Sequence, residues 1–490
     1  MTADVAHRWP QGASTLAFAH ALALAAAVGA TALYGRWLDA ATFAQWGMAL
    51  AVARAGLLLL DGGLKTALLR RPEEPDARSL ARITRGSAAV AAALLAAAAG
   101  VLALLWVQRR IDIGTALLIG GYAAAYLVCY PPMCVAAARL ERAGRFAVVG
   151  RAEAASISLE FVLPVLLLVA GAPPAAAFVA AAWVARALRA AWLLSAARAA
   201  GLPALAAQGH AVPALLREGA GVQVVAALSM LRDLLHLWLL APWFGAAWAG
   251  HYGLALTACA LASQVAVATA SRVLLPWLRS GPAHDLDQAW PLVRSQARVL
   301  AVLTLPVLAL MPAWLAHVDA AWWGARWGDA VALAPWLALR MVAGVGTTAV
   351  GAWLMVVQPP WAGAAAHARW TVFEAAVAAV ALALGGPLAM AAAMAGTAWA
   401  GLWWLLRGAL RAPGVDGDAR APALWLELIR TLIARPSAWC ALVLAALAAR
   451  WPQLLLAATC ALPLCWLAEA PLRAWLRGDG RPWPQRGALP

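Results

Sequence analysis

The chain predicts an all-α, polytopic membrane protein: about fourteen transmembrane helices, arranged as two parallel six-helix bundles plus two C-terminal helices. Three observations carry this. The 490 residues are 64% hydrophobic and only 12% charged, where a soluble domain has about a quarter of its residues charged. Apolar runs of about 20 residues recur along the chain, enough to cross a ~30 Å hydrocarbon core as helix. And a fourteen-residue stretch is written twice.

Backbone polar groups in lipid must be bonded internally, and Ala/Leu-rich runs of this length are too long for barrel strands. The expected spans are 14–34, 44–63, 86–107, 112–131, 148–170, 174–195, 219–240, 247–271, 296–316, 331–356, 368–385, 387–406, 437–450 and 453–472. The thirteenth is short and is separated from the last by Arg450-Trp451-Pro452, which leaves twelve or thirteen as alternatives. The first span has no convincing small-residue cleavage site after it, so it reads as a retained helix and not as a signal peptide.

The formal charge is +15. Nucleic acid is excluded as the reason by where the charge sits. Basic residues gather after even-numbered spans: Lys65, Arg70, Arg71, Arg78, Arg82 and Arg85 after the second, Arg139, Arg142 and Arg145 after the fourth, Arg186, Arg189, Arg198 and Arg217 after the sixth. Arg272, Arg279 and Arg294 follow the eighth, and another group follows the twelfth. The alternate loops hold only Arg36, Arg109, Arg110, Arg326 and Arg450. This is the positive-inside pattern, and it places both termini in the cytoplasm. The six cysteines lie in or beside spans, so they read as small packing residues and not as a disulfide framework.

The doubled stretch is Trp37–Leu50, WLDAATFAQWGMAL, against Trp243–Leu256, WFGAAWAGHYGLAL, identical at six of fourteen positions. The offset lays span 1 on span 7 and span 2 on span 8. Six helices lie between, so both copies share one membrane orientation, as in parallel transporter repeats. The expected division is residues 1–210, 211–411 and 412–490, the last holding an amphipathic segment, two helices and a cytoplasmic tail. Outer loops are short (GAPP at 171–174, GGP at 385–387, APWFGAAWAG at 241–250) and leave no room for an extracytoplasmic domain. In 420–433, Leu424, Trp425, Leu428 and Leu432 share one face, which predicts a helix lying on the inner membrane surface. No nucleotide-binding glycine motif or metal-binding motif is present.

Ionisable groups inside spans are costly and are functional candidates for that reason. Basic candidates for an anionic ligand are Arg54, Arg340, Arg232, Arg272, Arg151 and Lys65; Arg54 and Arg340 lie deepest. Acidic candidates for ion coupling are Asp61, Glu153, Glu160, Asp233 and Glu374, with Asp61 on the face of Arg54 and Glu153 seven residues before Glu160. Competing structural readings stand beside them. Arg232 and Asp233 can neutralise each other, Asp61 and Lys65 can cap and snorkel, Arg151 and Arg272 can snorkel, and His20 and His236 can be packing residues.

LYGRWLDAATFAQWGMALAVARAGLLLLDGGLKTALLRRPE (33–73) resembles the opening of bacterial polysaccharide flippases, with Gly35, Arg36, Leu38, Phe43, Asp61, Gly63, Ala67, Leu68 and Arg70 in matching places. PPMCVAAARLERAGRFAVVGRAEAAS (131–156) is similar to that family's inner loop, through Arg142, Phe146 and Glu153. RDLLHLWLLAPWFGAAWAGHYGLAL (232–256) and VLLPWLRS (273–280) fit through Asp233, Tyr252, Ala255 and Pro276, while Leu275, Gln45 and His251 depart from the pattern. The resemblance covers roughly 14–410 and points to the oligosaccharide-lipid flippase branch of the multidrug/oligosaccharidyl-lipid/polysaccharide exporter superfamily. It implies a bacterial inner-membrane protein, not an enzyme, that moves a polyprenyl-diphosphate-linked oligosaccharide, such as an O-antigen precursor, by alternating access. It implies no cofactor, with coupling to a proton or sodium gradient. The implied partners are the lipid-linked oligosaccharide, membrane lipids and other polysaccharide-assembly membrane proteins. A drug exporter or other secondary transporter is the alternative reading, and a membrane glycosyltransferase or polymerase a more distant one.

Overall fold

The computed structural model describes residues 22–23, 25–62, 64–65, 68, 77–200, 212–260, 283–415 and 417–450. Every long element among them is helical. In chain order these are α1 (25–37), α2 (Ala40–Asp61), α3 (Ala77–Val107), α4 (Ile113–Arg142), α5 (Phe146–Val169), α6 (Pro174–Ala199), α7 (Val212–Phe244) and α8 (246–260). Then come α9 (Leu286–Val318) and α10 (Gly328–Val357), followed by the long element Pro360–Leu410. That element breaks at Gly386, whose φ of 72° and ψ of −166° are not helical. It is therefore two helices, α11 (360–385) and α12 (387–410), as the GGP turn predicts. The last described elements are α13 (Ala421–Ile433) and α14 (Pro436–Arg450).

Nine elements among the described residues are long and apolar enough to cross a bilayer, with Pro360–Leu410 taken as one. They match expected spans 2–7 and 9–12. The first and eighth spans are described only in part, and the fourteenth lies outside the described residues. α14 has 15 residues, roughly 22 Å of helix, which is short of a ~30 Å core.

The structure corrects three expectations. Arg186 and Arg189 do not follow the sixth span; they lie inside α6, which ends only at Ala199. The stretch 241–250 is not a loop. α7 continues to Phe244, Gly245 alone leaves the helix at φ 88°, and α8 starts at the next residue. And the apolar face of α13 packs on protein: Leu428 and Leu432 are fully buried in one core with Trp290, Trp353, Leu402 and Leu406, and Leu424 and Trp425 are partly buried against it.

The chain forms two compact units, Met1–Gly253 and Leu254–Pro490. In the first, α4 is the hub, packed by α2, α3, α5 and α6. More than half of its apolar window (56%) is buried, against 6% for α3. In the second, α10 packs on α9 and on the α11–α12 element, and α14 packs on α9.

The repeated stretch is the same device in both places. At 37–40 the break falls on Leu38 and Asp39; at 243–246 it falls on Gly245, the repeat partner of Asp39. Asp39 stops one helix and caps the next, its carboxylate accepting from the Thr42 amide at 2.7 Å. Gly245 gets the same break from left-handed backbone, which glycine adopts without a Cβ penalty. The repeat partners Trp46 and Tyr252 are both buried, as are Ala49 and Ala255. The two turns also touch inside the first unit. A Cβ on Gly250 would lie 1.8 Å from the Ala40 carbonyl oxygen, so only glycine allows that approach.

Candidate functional site: buried charge and one exposed arginine

α5 and α6 form an antiparallel hairpin across the turn at 170–173, where Gly171 takes φ 84°. Glu153, Ser156 and Glu160 lie three, four and seven residues apart, so they share one helix face. That face meets α6 rung by rung. Glu153 pairs with Arg189 at 3.7 Å, the Ser156 hydroxyl donates to the Ala185 carbonyl at 3.1 Å, and Glu160 forms an ion pair with Arg186.

Glu160 is the centre of a larger cluster. Its Oε1 accepts from the hydroxyls of Tyr122 and Tyr126, each at 2.6 Å. Arg186 reaches Oε2 and also donates to the Tyr126 oxygen, and its guanidinium carbon lies 3.9 Å from the Tyr126 ring centroid. Glu160 and Arg186 are both buried. A charge this deep persists only when paired and hydrogen-bonded, and here carboxylate and guanidinium satisfy each other with two phenols attached.

Tyr122, Tyr126 and Tyr130 follow at i, i+4 and i+8 and so form one stripe of α4, about 12 Å long at 1.5 Å per residue. The stripe links two acids. Tyr130 donates to Asp61 Oδ1 at the C-terminal end of α2, where Cys134 also approaches at 3.9 Å. Lys65 gives its backbone N–H to Asp61 at 3.3 Å and its ammonium to Glu141 at 2.9 Å. Arg142 closes this end by donating to the Leu68 carbonyl at 2.7 Å. Asp61 and Lys65 thus hold the chain leaving α2 against α4.

In the second unit Arg340 of α10 meets Glu374 of α11 at 3.1 Å, with side-chain exposures of 6% and 0%. His367, Trp370 and Thr371 are buried on the same stretch of α11. Gly401 of α12 makes room for Trp370, since a Cβ there would come within 2.0 Å of the indole.

The predicted residues therefore part into groups. Glu153, Glu160 and Glu374 hold arginines. Arg340, predicted to need an anionic ligand for its burial, has a carboxylate of the protein instead. Arg232 is buried and donates to Ser229 at 3.1 Å, while Asp233 next to it is exposed. His236 stacks on Tyr252 with ring centroids 4.6 Å apart, a packing role. Arg151 is exposed and donates to the Ala147 carbonyl at 3.2 Å; Glu153 turns to Arg189 and not to it. Arg272 and His20 lie outside the described residues. Arg54 stands apart. It is exposed in the middle of α2, and no carboxylate among the described residues forms an ion pair with it.

Arg186 and the tyrosine stripe lie outside the site residues predicted from sequence. Both leave a signal. Arg186 and Arg189 are spaced by three, as residues on one helix face are, and three of the chain's five tyrosines recur every fourth residue in one apolar span.

A family model described as polysaccharide biosynthesis protein matches residues 33–332. The chain belongs to the polysaccharide biosynthesis protein family. The resemblance read from 33–73 and 232–256 is thereby borne out. No curated protein matches the chain. Among solved structures, lipid II flippase MurJ in an inward closed conformation is similar at TM-score 0.65 and 8% identity, covering 95% of this chain and 99% of that one. An inward-facing multidrug resistance MATE family transporter of the MOP superfamily is similar at TM-score 0.56 and 13% identity, covering 85% and 96%. The Vibrio cholerae MATE transporter VcmN is similar at TM-score 0.53 and 15% identity, covering 88% and 98%. At these identities the likeness is one of fold. This member of the polysaccharide biosynthesis protein family is a multi-pass helical membrane protein with the MurJ/MATE fold.

Proposed function

We propose that the chain is a flippase of the bacterial inner membrane, carrying a polyprenyl-diphosphate-linked oligosaccharide from the inner to the outer leaflet by alternating access. In this reading it is a transporter and not an enzyme. Fourteen helices form 6+6+2 with boundaries near 210 and 411, both termini are cytoplasmic, and a polar cavity takes the sugar and diphosphate while the polyprenyl chain stays in lipid. The family supports the polysaccharide setting, and the fold is one that a lipid flippase uses.

One observation carries the substrate assignment. Arg186, Arg189 and Arg340 each face a glutamate, so their charge is spent within the protein. Arg54 is exposed at mid-span. An arginine there costs a few kcal/mol or more unless it faces water or an anion, and its planar fork fits phosphate oxygens two at a time. Arg54 is the diphosphate contact; Arg340 with Glu374 serves the helix interface. Arg54→Lys keeps charge and loses the fork, so it retains part of the activity. Arg54→Ala stops export without stopping membrane insertion, and lipid-linked precursor builds up while surface polysaccharide falls. Normal surface polymer in Arg54→Ala at matched protein level rejects the assignment. Loss of polymer without precursor accumulation favours an enzyme.

Coupling to a proton or sodium gradient runs, in this proposal, through the acids that the tyrosine stripe joins, Glu160 and Asp61. Glu160→Gln weakens the dependence of transport on the ion gradient, and unchanged dependence would leave the cluster a structural one. A drug exporter is the second reading, supported by the MATE fold. It requires efflux of cationic drugs that survives Arg54→Ala, because a cation gains nothing from that arginine.

A further inference from the structure

The first unit contains a cavity of about 330 Å³ away from Arg54 and the tyrosine stripe, lined by α3, α4 and α6. Its wall is apolar, with Pro132, Val135 and Leu194. Arg139 from the last turn of α4 and Arg198 from the last turn of α6 also line it. Thr84 of α3 is the remaining polar neighbour, and its hydroxyl proton goes to the Leu80 carbonyl at 2.9 Å. The positive charge at this cavity comes from the two guanidiniums.

Arginines at helix C-termini answer the helix dipole, and that alone would explain one at each helix end. It does not explain why two helices bring theirs to one apolar cavity. Helix ends gather there because α4 packs closely on α6, both also lining the core that holds Leu140, Leu193 and Ala197, while α3 leaves most of its apolar surface uncovered. An open apolar cavity with cations from separate helices suits an amphiphile: phosphate on the guanidiniums, acyl chain on the wall.

We propose that this cavity is a binding site for a resident anionic phospholipid of the inner leaflet, of the two-phosphate cardiolipin class. Arg139 and Arg198 take the phosphates, and Val135 and Leu194 take the acyl chain. Two guanidiniums on separate helices offer one cation to each of two phosphates. The leaflet follows from the orientation proposed above, but binding itself needs no transport, so failure of the Arg54 test leaves this site standing.

The test is native mass spectrometry of the purified full-length protein titrated with cardiolipin, phosphatidylglycerol, inorganic diphosphate or a polyprenyl diphosphate. Cardiolipin binds saturably, one per chain, and ahead of phosphatidylglycerol. The double variant Arg139→Ala/Arg198→Ala weakens it roughly 30-fold, the loss of two phosphate contacts at a membrane surface. Arg139→Lys/Arg198→Lys keeps most of the binding, and Arg411→Ala, which removes a charge elsewhere, keeps all of it. If the alanine pair fails to fold, the lysine pair and competition by inorganic diphosphate decide. Equal binding by wild type and the alanine pair overturns the site. Displacement by inorganic diphosphate overturns its lipid character, and tighter binding of the polyprenyl diphosphate overturns the resident phospholipid in favour of the cargo.

Discussion

Arg340 on α10 and Arg54 on α2 occupy comparable places in the sequence: one guanidinium within a long apolar helix, far from either end. Their surroundings are opposite. Arg340 is closed in by α11 and meets Glu374 at 3.1 Å; Arg54 is exposed. A deep charge in a membrane helix therefore has two explanations that a linear sequence does not separate. One is an ion pair that joins helices, and the other is a charge kept open for something that arrives. Arg186 sharpens the contrast, because its bond to Glu160 is reinforced by Tyr122 and Tyr126.

The largest effect expected is at the closed pair. Glu374→Ala takes the carboxylate away from the buried Arg340, and removing one partner of a buried pair costs about 3–5 kcal/mol. Thermal unfolding of the purified protein in detergent should show that loss. The paired change Arg340→Leu/Glu374→Leu should recover most of it, since a well-packed apolar pair can replace a buried ion pair. Failure of the double variant to recover would show that the pair does more than hold helices.

Arg54→Ala should do the reverse, changing stability by no more than about 0.5 kcal/mol while abolishing export. A melting transition that falls as far as that of Glu374→Ala would erase the distinction between the two arginines.

Within the reinforced pair, Tyr126→Phe removes one hydroxyl from Glu160 and should cost about 1.5–3 kcal/mol, the range for a hydrogen bond to a charged group. The same change at Tyr122 should cost a comparable amount. If neither alters stability, Arg186 alone satisfies Glu160.

The smallest effect is at the exposed pairs of the second unit. Asp418 meets Arg407 at 3.3 Å and Arg411 at 3.0 Å, and hydrogen bonds from both hold its carboxyl below the ordinary 3.8. For Glu427 burial pushes the carboxyl upward, but hydrogen bonds from Trp290 and Arg294 outweigh it, and the net direction is below the ordinary 4.5. A lowered folded value means that the stabilisation is present above the unfolded value. It is lost as pH falls through the folded one. Melting of α13 from the second unit should therefore ease only below the ordinary carboxylate range, and added salt should weaken the Asp418 contribution at neutral pH. An equal loss between pH 8 and 6 would assign it to another group.

Much of the fold is legible in the residues alone. Hydropathy locates the crossing helices because twenty apolar residues have few other uses, and GGP locates the break at Gly386 because glycine tolerates the backbone required. The duplicated Trp37–Leu50 and Trp243–Leu256 locate both helix breaks, though not that Asp39 makes one by capping and Gly245 the other by its conformation. Glu153 and Glu160 are visible as a face. Their partners are not, because the spacing of Arg186 and Arg189 within α6 does not say which neighbouring helix they meet. The amphipathic face of α13 is visible too, but lipid and a protein core are equally apolar, so periodicity does not say which one covers it. The sequence by itself determined what must leave water and in which helices: apolar surface and internal backbone bonding follow from composition and period. Only the tertiary structure decided which charges are spent on one another. An ion pair such as Glu160–Arg186 depends on two helices meeting in register at one depth, and that register follows from the packing of α4, α5 and α6 as a set, not from any residue within one of them.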